Sequence, residues 1–168
     1  MLLDTINMET LIKDIQNRLT EIPQLKYIDV DWGQLDYYDS PPVKYPCCLL
    51  DIVQGDFTDA GNLAQIGLIG VEIRLVDLLH TNTSAKAPEG QKNRAFDVLR
   101  LLTEIYKKLH GWHGLKSNYG TLTRRNFSRV NREDGLKEYR MLFLTEITDQ
   151  KAFKPAIMTL VKGVDIEM

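Results

Sequence analysis

Residues 66–77 read IGLIGVEIRLVD, and from Val71 onward they keep a two-residue rhythm. Val71, Ile73 and Leu75 alternate with Glu72 and Arg74, the pattern of a long strand with one face turned to a core. Such a strand needs partners on both edges, so it commits the chain to a sheet. The rhythm slips at Leu68-Ile69-Gly70, which predicts a bulge or bend at Gly67 or Gly70.

Four further stretches supply the partners. KYIDVDW (26–32) alternates, with Tyr27, Asp29 and Asp31 on one side and Ile28, Val30 and Trp32 on the other. CCLLDIV (47–53) reads as a strand launched by the proline before it. Residues 121–130 and 136–148 are joined by the turn NREDG, and Tyr139, Met141, Phe143 and Ile147 share one face of the second. QGDFTDAGNLAQ (54–65) reads as a polar, glycine-bearing connection.

Two stretches change to a period of 3.6. Met8, Leu11, Ile12, Ile15, Leu19 and Ile22 form one apolar stripe, with Asn7 as its cap and Pro23 as its stop. Ala95, Val98, Leu99, Leu102, Ile105, Tyr106 and Leu109 form another, closed by Gly111. The order α-β-β-β-α-β-β predicts an α+β fold: an antiparallel sheet of about five strands with two helices packed on one face. Residues 1–148 make a single domain in this reading. Residues 149–168 are a C-terminal extension packing on that domain or on a neighbouring subunit.

Composition narrows the function classes. The chain has 168 residues, 43% hydrophobic, and a net charge of -2, which does not advertise nucleic acid or anionic lipid as its main partner. No apolar run approaches the roughly 20 residues of a spanning helix, and MLLDTINMET lacks the features of a secretory signal. This points to a protein that works without a membrane, in a cytosol or in something assembled there.

Adjacent Cys47 and Cys48 lack the spacing of a zinc site, and a strand would send their side chains to opposite faces. They read as buried apolar filling. The remaining candidates for chemistry are three. His110 and His113, in HGWHGLK, straddle a helix stop. Asp29, Asp31, Asp36 and Asp39 form an acidic group that reads as a solvated face, or as a magnesium-binding pair in a small metal-dependent hydrolase or nuclease using Asp29, Asp31 and His113. Arg124, Arg125, Arg129, Arg132, Lys137 and Arg140 form a basic hairpin, with Arg125 and Arg129 on one face and Arg124 on the other. That hairpin suits an acidic partner or, in an adaptor, DNA. No nucleotide-binding, metalloprotease or nucleophile-elbow motif occurs.

The succession YPCCLLDI, GLIGVEIRLVD, RAFDVLRLLTEIYKKLHG and EYRMLFLTEITD, spanning residues 8–148, resembles the tail terminator and tail-completion proteins of long-tailed phages and prophages. The resemblance implies a structural protein with no catalytic role and no cofactor. It implies a homo-oligomeric ring, often hexameric, that ends the tail tube and joins it to the head connector, with DNA in the lumen. Its place would be the virion tail, assembled in the bacterial host cytoplasm. Contacts would then come from loops and tail: Tyr37, Tyr38 and Asp39; Thr81, Asn82, Thr83 and Lys86; and Ile157, Leu160 and Val161. Arg124, Arg125, Arg129 and Arg132 would meet DNA or an acidic partner.

Overall fold

The structure is a computed structural model, and it describes residues 8–114, 119–150 and 152. Its elements are α1 (Met8–Leu19), β1 (Tyr27–Val30), β2 (Cys47–Gly61), β3 (Ala64–Leu78), α2 (Glu89–Leu109), β4 (Thr123–Val130) and β5 (Leu136–Asp149). The five strands form one sheet in the order β1-β2-β3-β5-β4. Both helices pack on one face of it, as the stripes predict.

The sheet is mixed rather than wholly antiparallel, because β1 runs parallel to β2. Parallel neighbours need a crossover, and the stretch 31–46 between them is long enough to serve as one. β3 is the axis of the sheet. It pairs with β5 without interruption from Gln65↔Asp149 to Leu78↔Leu136. The predicted irregularity exists but lies on the partner strand: the β2–β3 register shifts between Ile52 and Gln54, opposite Val71 and Gly70. Val53 is the extra residue, and β3 itself stays regular.

Residues 54–65 are not a loose connection. They complete a long β2–β3 hairpin whose turn is at Gly61–Ala64. Its polar residues are polar because most of the arm is exposed. Phe57 faces Gly67 across the arm, and a Cβ built on Gly67 would stand 2.5 Å from the Phe57 ring. Only glycine lets that ring lie so close to the backbone.

The main core fills the space between the helices and one sheet face. α1 contributes Leu11, Ile15 and Leu19; α2 contributes Ala95, Val98, Leu101, Ile105 and Leu109. Leu101 takes the place that the stripe assigned to Leu99, which is 39% exposed. From the sheet come Cys48, Leu50, Val71, Ile73, Leu75, Tyr139, Met141, Phe143 and Ile147. A second, smaller core lies on the other face: Leu35, Cys47, Leu49 and Val76, with Tyr27, Val43, Tyr45 and Leu136 against it. The adjacent cysteines diverge as predicted, one into each core, and both are fully buried. Burial pushes the Cys47 thiol up to about 12 and the Cys48 thiol higher still.

Candidate functional site

Arg74 organises the face opposite the helices. On β3 it alternates with Ile73 and Leu75, so it points away from the main core and under the 31–46 crossover. Its side chain is 4% exposed. All five of its N–H bonds are used. Nε donates to Glu138 Oε1 at 2.8 Å and Nη2 to Glu138 Oε2 at 3.0 Å. Nη1 donates to Asp31 Oδ2 and Asp36 Oδ2, each at 2.9 Å, and Nη2 to Asp36 Oδ1 at 3.0 Å.

Glu138, fully buried on β5, accepts from two further arginines: Arg132 Nη1 at 2.8 Å and Arg140 Nε at 2.7 Å. Its two oxygens therefore carry four donors, the capacity of a carboxylate. Burial acts to raise its pKa, and the hydrogen bonds from Arg74, Arg132 and Arg140 outweigh burial and lower it. Asp36 is lowered chiefly by its bond to Arg74, and Asp134 chiefly by Arg132. For Arg74 the desolvation that disfavours its charge is outweighed by Asp36, Glu138 and Asp31, so it stays charged.

This cluster clamps the crossover to the sheet. Arg132 adds a bond to the Leu35 carbonyl at 3.2 Å. The fully buried Gln34 accepts from Trp32 N–H at 2.9 Å and donates to Val30 O at 3.0 Å. Gly33, at φ 87°, turns the chain beneath the Tyr37 ring. Tyr37 is thereby presented 81% exposed, and Tyr38 52% exposed with its ring edge-on to Trp32 at 5.8 Å. Large, stiff aromatic side chains on a fixed loop are the usual anchors of protein interfaces.

The other predicted residues fall as follows. Asp39 is exposed on the aromatic loop, and Thr81, Asn82, Thr83 and Lys86 are exposed on the loop before α2. Ile157, Leu160 and Val161 lie outside the described residues. Arg132 is drawn into the clamp, its side chain 12% exposed. Arg124 lies 3.8 Å over the Tyr106 ring, and its N–H donates to His110 Nδ1 at 3.1 Å. The β4–β5 register shifts between Arg124 and Asn126. This bulge puts Arg124 on the same face as Phe127 and Arg129, not opposite Arg129 as strict alternation predicts. Arg125, the bulged residue, and Arg129 are exposed.

The acidic group is a solvated face only in part: Asp39 is exposed, but the other three are engaged. Asp31 and Asp36 are held by Arg74, and Asp29 accepts from Tyr27 Oη at 2.7 Å and Val30 N–H at 2.8 Å. Among the described residues no three His, Cys, Asp or Glu side chains are placed to hold a metal ion. Nor is any helix among them long and apolar enough to cross a membrane.

Two features escaped sequence reasoning. Arg74 was the signal for the clamp: an arginine amid apolar residues, in a chain whose crossover is rich in aspartate. The second is a cavity of about 410 Å³ walled by Tyr45, Pro46, Leu78, Leu101 and the buried Asp77. Burial raises the Asp77 carboxyl, partly offset by the Leu78 N–H at 2.8 Å.

Together these elements define a class: an α+β protein with a mixed five-stranded sheet, two helices on one face and a clamped aromatic crossover on the other. No protein-family model matches the chain, and no curated relative matches it. Among solved structures it is similar to a chain in the virion of a native gene transfer agent particle. The two share 9% identity and a TM-score of 0.52, over 82% of this chain and 94% of the other. At that identity the likeness is one of fold.

Proposed function

We propose that this protein is a structural component of a phage-type virion, closing into a homo-oligomeric ring that ends the tail tube and joins it to the head connector. It makes and breaks no bond, and takes no cofactor. Its place is the virion tail, with assembly in the bacterial host cytoplasm. The observation that carries the reading is the correspondence of nearly the whole fold with a chain from a virion particle. The clamped loop adds support, because it spends seven charged side chains on holding Trp32, Tyr37 and Tyr38 in the open. Of the two carboxylates expected as a metal pair, Asp31 is committed to Arg74 and Asp29 accepts from Tyr27 Oη and Val30 N–H.

Deleting the reading frame and viewing the particles by electron microscopy tests this. Tubes of uncontrolled length, or tails without heads, are expected; unchanged particles would contradict it. A second reading, an adaptor that holds DNA, is favoured by the exposure of Arg125 and Arg129. It requires DNA affinity that falls steeply with salt.

A further inference from the structure

Among the described residues the sheet has two unpaired edges, of opposite charge. β1 covers β2 only at Cys47–Leu50. Among the described residues no strand pairs with the outer side of β2 from residue 51 to 61. At the far side β4 is the last strand, and past Arg124, whose N–H is taken by His110, its outer edge is likewise unpaired among the described residues. The β2 edge, DIVQGDFTDAG, carries Asp51, Asp56 and Asp59 and no cation. The β4 edge, TRRNFSRV, carries Arg124, Arg125 and Arg129 and no anion. An exposed long edge is a template for another strand.

We propose that copies of this chain join edge to edge, β4 of one beside the 51–61 arm of β2 in the next, making one continuous sheet. The partner is a second copy because the two edges complement each other in charge, and each repels its own kind. The strand directions agree. β4 runs with β3 and against β2, so a copy added in the same orientation meets β2 antiparallel, the better-bonded arrangement. The apolar residues agree too. Phe57, 45% exposed, lies opposite Gly67, and Phe127, 59% exposed, lies opposite Met141. Both therefore stand on the helix-bearing side, where a continued sheet brings them together. The contact is head-to-tail, the kind that closes into a ring when its rotation allows. The β2 arm extends past the level of β4, so each copy is staggered along the strands, and a closed sheet with stagger has tilted strands.

This inference deepens the ring reading but is tested apart from it. Full-length chain is prepared as wild type, as D56R/D59R, as R125D/R129D and as the quadruple variant. Each, and an equimolar mix of the two double variants, is followed by sedimentation velocity across a hundredfold range of concentration. Wild type is expected to associate. Each double variant, with two like-charged edges, associates about tenfold more weakly or worse. The mix and the quadruple variant, whose edges are complementary again, recover. All four positions are exposed, so melting temperatures stay close to wild type; a variant that fails to fold is replaced by the single changes D56R or R129D. Wild type monomeric throughout, double variants that associate like wild type, or no recovery in the mix would each overturn the proposal. Association lost on ending the chain at Asp149, yet insensitive to charge reversal, would overturn it in favour of the C-terminal segment. DNA bound at Arg125 and Arg129 with no self-association would overturn it in favour of the adaptor. The particle experiment bears on the virion role alone, so the two failures are distinguishable.

Discussion

Arg74 and Glu138 face each other from β3 and β5 with two parallel hydrogen bonds, 2.8 and 3.0 Å long, at a site where neither side chain is more than 4% exposed. Removing one member of a buried pair leaves the other charged and short of partners. Arg74→Met is therefore expected to cost about 3–5 kcal/mol in urea unfolding. Arg74→Met with Glu138→Leu should cost less than the two single changes added together, because each single change alone leaves the other member of the pair charged, buried and short of a partner. Strictly additive costs would contradict this coupling.

The carboxylates of the clamp and Asp77 titrate with opposite sign. Glu138, Asp36 and Asp134 have folded pKa values below their unfolded ones. Their contribution is present above the unfolded carboxylate range, about pH 4, and is lost as pH falls through the folded values. Asp77 is raised by burial. Stability tied to its protonated form is complete below the unfolded value and lost as pH rises through the folded one. Asp77→Asn keeps an acceptor for Leu78 N–H, so it should raise the melting temperature at pH 7 and lose that advantage in acid. Equal shifts at pH 7 and pH 3.5 would contradict the assignment.

Gly67 and Phe57 should behave as one unit. Gly67→Ala places a methyl within 2.5 Å of the Phe57 ring and forces the ring off the arm. The single change should destabilise by roughly 1–3 kcal/mol. In a double-mutant cycle with Phe57→Ala the cost should largely vanish. Additive costs would mean the ring does not rest on Gly67.

Neither thiol should react while the chain is folded. Cys47 and Cys48 are fully buried and hold their protons beyond pH 8. Labelling with an aromatic disulfide reagent at pH 8 should proceed only at the unfolding rate. Fast labelling of one cysteine would mean that its core opens locally.

Local rhythm made most of this fold legible. The α1 stripe, the face shared by Tyr139, Met141, Phe143 and Ile147, and the divergence of Cys47 and Cys48 all follow from side-chain period alone. What escaped depends on partners distant in sequence. β1 has four residues, too few to reveal that a crossover returns the chain parallel to it. Each bulge shifts a face by one residue, so strict alternation puts Arg124 opposite Arg129 although the two share a face. The clamp joins Asp31, Asp36, Arg74, Arg132 and Glu138, and no window of residues contains it. Of the proposed contacts, Tyr37 and Tyr38 were readable as interface types, but the two charged edges emerge only once the strand order is known.

Immunogold labelling of purified particles tests the structural role most directly. Label is expected only at the junction of head and tail, with one ring's worth of chain per particle. Label along the whole tube, or no chain in the particles, would contradict it.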